Sequence, residues 1–232
     1  MVLVGATLMA MALVVAGCGD DGSDTAGSST TRAPASTGST TSTTEAGSTK
    51  QPDTAVWPFA GDTTRFTDPV DAARSFATTY LGFTDPVVGT FQQGDSRSGE
   101  VEVRADAKGP VTTVLVRQLT PDDSWWVLGA ATPNLVLESP APLGKISSPV
   151  TLSGRSTAFE GTVNVQVNQD GTLTPLKEDF VTGGANGQMG PFSKAVDFPT
   201  PTATGGAIVL RTLSAENGHV WEASVVRVAF GN

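Results

Sequence analysis

The sequence predicts two small domains: an α+β domain with one helix packed on an antiparallel sheet, followed by an all-β sandwich. Three observations support this fold class. Apolar residues recur at helical spacing from Val70 to Leu81. Strand-like runs separated by turn residues follow this stretch. The Pro-rich segment Glu138–Pro149 then marks a boundary near residue 140. The predicted domains are residues 53–139 and 140–232.

Residues 1–17, which precede both domains, have the features of a lipoprotein signal peptide. The stretch Val2–Ala16 is uncharged and mostly apolar, and it is shorter than the roughly 20 residues that a membrane-spanning helix needs. Its length suits the apolar core of a secretory signal. Signal peptides usually begin with a basic residue, and none precedes Arg32. We therefore expect the true start codon to lie further upstream.

Cys18 ends this leader and is the only cysteine of the chain, which excludes an internal disulfide. The tetrapeptide Val15–Cys18 resembles the lipobox of bacterial lipoproteins, in which a branched residue and two small residues precede the cysteine. The resemblance implies that the Cys18 thiol receives a diacylglyceryl group and becomes the mature N-terminus. Two acyl chains, such as palmitate, anchor a protein stably where one does not. We expect a secreted protein that is lipid-anchored to the outer face of the cytoplasmic membrane.

Residues 18–52 combine the lipidated cysteine with a tether rich in Ser, Thr and Gly. From Gly19 to Pro52 no residue is more apolar than alanine, so the segment cannot bury enough surface to offset its ordering entropy. A flexible coil of about 34 residues spans roughly 30 Å on average. The tether is therefore expected to be disordered and to hold the folded part away from the lipid headgroups.

The charge composition limits the classes of partner. The chain has 14 basic and 23 acidic residues and a formal charge of −9. No basic patch invites nucleic acid, and an acidic surface is not attracted to anionic lipid. The expected contact with the membrane is the lipid anchor alone. One cysteine and one histidine offer no metal-ligating cluster, and we expect no cofactor.

The helix of the α+β domain has a start signal, an apolar face and a stop signal. Asp68 is a predicted N-cap, Pro69 suits the first helical position, and Asp71 completes a box-like pairing. Gly82 ends the helix. The apolar face comprises Val70, Ala73, Phe76, Ala77, Tyr80 and Leu81.

Three strand-like runs follow the helix, at residues 98–105, 110–119 and 124–131. The last contains Trp125 and Trp126. Because neighbouring strand residues point to opposite faces, only one of these rings can lie under the helix. The other faces solvent, the second domain or a partner. Both are therefore candidate partner-binding residues.

Alternation and turn residues indicate a two-sheet sandwich at residues 140–232. Val163, Val165 and Val167 share one face of a run that ends at an Asp170-Gly171 turn. An Asn217-Gly218 pair between two apolar runs predicts a hairpin. Six or seven strands over about 90 residues are typical of a sandwich.

Within this region, Ile146–Val167 and Gly190–Phe198 closely resemble the immunoglobulin-like domain of bacterial spore-germination and sporulation proteins. The resemblance is carried by four features: the Ser-Pro-Val start at 148–150, the Ser153-Gly154 turn, the Phe159-Glu160 pair and the Gly-Pro-Phe at 190–192. It implies an immunoglobulin-like sandwich in an envelope protein, and it does not imply sporulation. That family has no established catalytic residues to transfer.

The sequence offers little for catalysis. His219 follows the Asn217-Gly218 turn, where we expect it to be solvated, and no Gly-x-Ser-x-Gly elbow surrounds any serine. Asp122 and Asp123 are expected to be solvated turn residues. The Gly-rich run 182–190 lacks the lysine and following helix that a phosphate loop needs. We expect it to be a mobile loop that contacts partners, with Gly183, Gly184 and Asn186 as candidates.

These observations favour a non-catalytic, lipid-anchored envelope lipoprotein that binds an envelope protein or a cell-wall polymer. Two alternatives stay open. The first is a small-ligand pocket between the helix and the sheet, lined by Phe76, Tyr80 and Trp126. The second is an envelope polysaccharide hydrolase that uses Asp122 and Asp123.

Overall fold

A computed structural model of the chain describes residues 52–119 and 121–231, and all of them belong to one compact unit. Cys18, the leader and nearly all of the tether lie outside the described residues. In the described part no helix has the length and apolar character needed to cross a membrane.

The described chain begins with a 3-10 turn, Pro52–Thr54, and one helical segment, α1 (Pro69–Ser75), which continues as a π-helix over Phe76–Leu81. A second 3-10 turn occupies Phe159–Gly161. The strands are β1 (Val87–Asp95), β2 (Ser98–Arg104), β3 (Thr112–Leu119), β4 (Ser124–Ala131), β5 (Leu135–Ser139), β6 (Lys145–Ile146), β7 (Val150–Ala158), β8 (Thr162–Gln169), β9 (Lys177–Thr182), β10 (Gly184–Ala185), β11 (Gly190–Val196), β12 (Gly205–Leu213) and β13 (Val220–Phe230).

The helical segment made of α1 and the π-helix begins and ends where the sequence predicts. The Asp68 carboxylate accepts hydrogen bonds from the backbone N–H groups of Val70 and Asp71, at 2.7 and 3.3 Å. Pro69 occupies the first helical position. Gly82 ends the π-helix with a φ of 81°, a conformation that costs glycine little.

Strands β2, β3 and β4 form an antiparallel meander and confirm the three predicted runs. The sequence reading missed β1, which pairs with β2 at the edge of the sheet. Most β1 side chains are exposed or half-buried, so β1 lacks the apolar alternation by which a strand is recognised.

The large sheet is continuous across the predicted domain boundary. Its order is β1-β2-β3-β4-β13-β12-β8-β9, with β6 paired to β13. Strands β4 and β13 are joined through the pair Ala130 and Val225. The meander of the first predicted domain and the outer sheet of the sandwich are thus one sheet.

A smaller sheet covers one face of the sandwich half. Strand β7 is its centre and pairs with β5, β10 and β11. Because β5 pairs with β7, the sandwich extends N-terminally to Leu135, ahead of the Pro-rich segment. Mostly β structure, one short helix and an immunoglobulin-like sandwich are therefore as predicted.

Strand β12 is buried on both faces and separates two hydrophobic cores. Ala207 and Val209 face the helix and pack in its core. Ile208 and Leu210 alternate with them and pack in the core of the sandwich. A strand that is buried on both faces has a continuous apolar sequence, which explains the run Ala-Ile-Val-Leu at 207–210.

The helix-side core contains residues from both predicted domains, so the structure does not divide the described chain into two independent cores. Phe76 and Tyr80 of the π-helix share this core with Val209 of β12 and Val225 of β13. Tyr80 also accepts a hydrogen bond from the Asn168 side chain on β8, at 3.2 Å. The division at residue 140 stays a prediction.

Candidate functional site

An open cavity of about 480 Å³ lies at one end of the sandwich. Four connections meet there: the β12–β13 hairpin loop, the β4–β5 connection, the turn after β7 and the turn before β11. A fifth segment, the β2–β3 loop, contributes Asp106. The cavity therefore combines residues that are far apart in sequence.

Glu222 lies at the buried end of the cavity and is only 3% exposed. It shares a face of β13 with the sandwich-core residues Val228 and Phe230, because strand side chains alternate. One carboxylate oxygen accepts hydrogen bonds from Thr132 Oγ1, at 2.7 Å, and Asn134 Nδ2, at 3.0 Å. The other accepts one from Thr212 Oγ1, at 3.3 Å.

Burial raises the pKa of Glu222 above its ordinary value of 4.5, and the three hydrogen bonds oppose this shift only in part. In the described chain no lysine, arginine or histidine pairs with this carboxylate. An ionised carboxylate that is buried with hydrogen bonds alone lacks the counter-charge that such groups usually have. Glu222 is thus a carboxylate that a cation would stabilise.

Two further acidic residues, Asp106 and Glu216, line the exposed rim of the same cavity. Asp106 forms hydrogen bonds within its own loop, accepting one from the Lys108 backbone N–H at 2.8 Å. Neither rim carboxylate forms an ion pair with a described residue. No basic side chain lines the cavity, so every charged side chain in its described wall is acidic.

Two aromatic side chains complete the wall. Phe159 is 66% exposed. It stands on a turn in which Glu160 has a φ of 60°, a left-handed conformation that is uncommon and costly for a residue other than glycine. Trp221 is half-buried beside Asp106 and Glu222. Both rings are available for contact with a bound molecule.

A buried hydroxyl of the wall has no hydrogen-bond partner among the described residues. Thr157 lines the cavity and is 8% exposed, and its Oγ1 is unpaired. Leaving a buried hydroxyl unsatisfied costs about 1–3 kcal/mol. Because Oγ1 is closed to solvent as the side chain stands, a ligand could bond it only after this side chain turns.

The Gly-rich run that sequence reasoning selected lies next to the cavity, although it is not the irregular loop that we expected. Gly184 and Ala185 form β10 and pair with β7. Asn186 and Gly187, with φ values of 53° and 78°, form a tight turn closed by a 2.9 Å bond from Gln188 N–H to the Ala185 carbonyl. Gly187 alone of these residues lines the cavity.

The glycines of this run are required by packing. A Cβ on Gly183 would lie 2.0 Å from Ser156 Oγ, and one on Gly184 would lie 1.9 Å from the Gln188 carbonyl oxygen. Gly183 and Gly184 are half-buried, whereas Asn186 is exposed. Asn186 is therefore the most accessible of the three predicted contact residues.

The two tryptophans lie away from the cavity, on opposite faces of β4. Trp125 is half-buried against the helix-side core and meets Phe91 edge-on, with ring centroids 5.1 Å apart. Trp126 is 1% exposed and packs with Ala55 and Leu119. The prediction that only one ring faces the helix agrees with this arrangement. Trp126 offers no surface to a partner.

The helix-side pocket that we considered is occupied by the protein's own side chains. Phe76 and Tyr80 stack at 5.2 Å between ring centroids and are buried in the helix-side core. Trp126 lies on the other face of β4, in a separate cluster. These three residues do not line a common space, because Trp126 points to the face of β4 opposite to Phe76 and Tyr80.

Asp122 and Asp123 are each held by a separate arginine, Arg65 and Arg97. The hydrogen bonds that Asp122 accepts from Ser124 and Arg65 lower its pKa and outweigh desolvation. Both carboxylates are exposed in the β3–β4 turn, and His219 is exposed beside the hairpin turn, as the sequence predicts. Within the described chain no group of three or more Asp, Glu, His or Cys residues could hold a metal ion.

Comparison with known families identifies the domain that carries most of the cavity. Residues 134–219 match the family model of Gmad2, an immunoglobulin-like domain of bacterial spore germination. No curated protein and no solved structure matches the chain. The matched segment includes Asn134, Thr157, Phe159 and the hairpin loop, while Asp106, Trp221 and Glu222 lie outside it.

Sequence reasoning missed Glu222 because its partners are distant along the chain. Thr132 and Asn134 are separated from it by 90 and 88 positions. In the sequence, Trp-Glu-Ala-Ser looks like ordinary strand alternation with an exposed Glu. One local signal existed, since Glu222 falls on the same alternate positions as the apolar Val228 and Phe230.

Proposed function

We propose that this protein is a non-catalytic envelope lipoprotein, anchored through a lipid on Cys18, whose immunoglobulin-like domain binds an envelope protein or a cell-wall polymer. The observation that carries the binding function is the cavity at the end of the sandwich. Most of its wall comes from residues 134–219, the segment that matches the spore-germination domain. Cavities with apolar faces and a few convergent polar groups are the usual form of binding sites.

The anchor is supported by the Val15–Cys18 motif and by the tether that follows it. If the roughly 34 residues between lipid and fold behave as a flexible coil, the cavity has a reach of roughly 30 Å from the headgroups. An acidic chain of charge −9 gains nothing electrostatically from an anionic membrane. A binding site on a lipid tether therefore suits a target in the space outside the membrane.

The anchor is tested by metabolic labelling with a palmitate analogue. Wild type should carry the label and sediment with membranes, because two acyl chains bind stably. Cys18→Ala should lose the label and leave the membrane fraction. An unlabelled wild-type chain, or a Cys18→Ala chain that stays labelled, would refute the lipid anchor.

The binding function is tested by photo-crosslinking in intact cells. A photoreactive residue at Phe159 stands on the cavity wall, and one at Phe180, which is 53% exposed on β9, is a matched control. We expect adducts with a protein or wall fragment from position 159 and not from 180. Equal yields from both positions, or none from 159, would refute binding at this end of the sandwich.

A further inference from the structure

We propose that the cavity binds a glycan that carries a free amino group, with the ammonium facing the exposed carboxylates of Asp106 and Glu216. This inference rests on the proposed binding function and adds the chemical class of the ligand. It comes from three independent properties of the wall: its charge, its aromatic faces and its unpaired polar groups.

The charge of the wall selects a cation. Three carboxylates and no basic side chain line the cavity, and none of the three has an ion-pair partner in the described chain. Other acidic side chains do have one: Asp122, Asp123 and Asp170 each pair with an arginine. An ammonium would supply the missing counter-charge, and its N–H groups would donate to the carboxylate oxygens.

The aromatic side chains suit the same ligand. Phe159 and Trp221 line the same cavity as the acidic residues. A cation over an aromatic face gains about 0.5–2 kcal/mol. The same rings offer apolar faces on which the C–H groups of a sugar ring can pack. Phe159 is the most exposed large apolar side chain among the described residues, at 66%.

The remaining polar groups favour a glycan over a simple amine. The wall carries the hydroxyls of Thr157, Thr212 and Ser214 and the amides of Asn134 and Asn217. Hydroxyls and amides both donate and accept hydrogen bonds, as sugar hydroxyls do. The unpaired Thr157 Oγ1, in a residue 8% exposed, is one such group that still needs a partner. The volume of about 480 Å³ is within the range of small-ligand sites.

The test compares ligands that differ in the amine alone. The full chain is purified in non-ionic detergent and titrated calorimetrically with a glucosamine trisaccharide and with its N-acetylated counterpart. The pH is kept slightly acidic, so that the amines of the free trisaccharide are protonated. A charge-assisted hydrogen bond contributes about 1.5–3 kcal/mol, so we expect the free amine to bind at least about tenfold more tightly.

Variants locate the site. Asp106→Asn combined with Glu216→Gln should weaken binding of the free-amine trisaccharide about tenfold. Glu100→Gln, an exposed strand residue outside the cavity, should leave the affinity unchanged. Phe159→Ala should also weaken binding, whereas Phe180→Ala should not. Unchanged melting temperatures would show that the exposed substitutions leave the fold intact.

Three outcomes would overturn the inference: equal binding of the acetylated trisaccharide, absence of any binding, or equal weakening by the control variants. A third ligand, an N-acetylated trilysine amide, carries the same number of ammonium groups without sugar rings. Binding of this peptide as tight as that of the trisaccharide would also contradict a glycan. Crosslinking from position 159 is independent of these titrations, so a failed amine preference leaves the proposed binding function standing.

Discussion

At the scale of single residues, Glu222 is the least expected feature of the molecule. It is 3% exposed and accepts three hydrogen bonds, yet it has no cationic partner among the described residues. Because burial raises its pKa, the folded chain keeps this carboxyl protonated to a higher pH than the unfolded chain does. Through these hydrogen bonds Glu222 joins the β4–β5 segment to β12. It also forms the buried end of the cavity.

The raised pKa of Glu222 predicts a defined pH dependence of stability. Below its ordinary pKa of 4.5, the carboxyl is protonated in both states and the folded chain has no penalty. As the pH rises through the raised pKa of the folded state, the free energy of unfolding falls, because the unfolded state ionises more readily. Glu222→Gln keeps the shape without the charge. It should therefore unfold at higher urea than wild type at pH 7.

The comparison is made by urea titration of both chains at several pH values. The difference in free energy of unfolding should be small at low pH and grow in favour of Glu222→Gln towards neutral pH. Glu100→Gln, on the exposed face of β2, is the control and should show little difference at any pH. A Glu222→Gln chain that is less stable than wild type at pH 7 would show that the ionised carboxylate is well satisfied.

At the scale of secondary-structure elements, local sequence sets where the helix begins and where the turns lie. Asp68, Pro69 and Gly82 act through neighbouring backbone groups, so a short window contains all the information. The Asn217-Gly218 pair works in the same way, since Gly218 adopts a φ of 73° between β12 and β13. Strand β1 was missed because no buried face marks it.

The N-cap of α1 predicts how much stability the chain loses when its capping side chain is removed. Asp68→Ala removes the acceptor for two backbone N–H groups, and loss of such an N-cap costs about 0.5–2 kcal/mol. Asp71→Ala, in the first turn but without a capping bond, should cost less. Both free energies are measured by urea unfolding. Equal losses would mean that the charge at the helix start matters and the capping geometry does not.

At the scale of the whole molecule, the continuous sheet changes how the two predicted domains are related. Strand β12 is buried on both sides, by the helix-side core and by the sandwich core. Unfolding either half would expose one face of this strand and of β13. Two cores that share strands are expected to lose their structure together.

We therefore predict a single cooperative unfolding transition for residues 53–231. Fluorescence reports on the four tryptophans, of which Trp57, Trp125 and Trp126 lie in the helix-bearing half and Trp221 on β13. Far-ultraviolet circular dichroism reports on all strands. The two signals should change at the same denaturant concentration, as two-state unfolding requires. Separate midpoints would mean that the halves fold independently and that the boundary near residue 140 is a true domain boundary.

The sequence by itself determined the features that depend on neighbours along the chain: the capped helix, the turns, the alternating strands and the immunoglobulin-like segment at 134–219. Only the tertiary structure decided that β4 pairs with β13, and that Glu222 meets Thr132 and Asn134, 90 and 88 positions away. The physical reason is the separation along the chain of the residues that form each feature. Caps and turns form between residues a few positions apart, whereas the environment of a buried carboxylate is made by strands that only the complete sheet brings together.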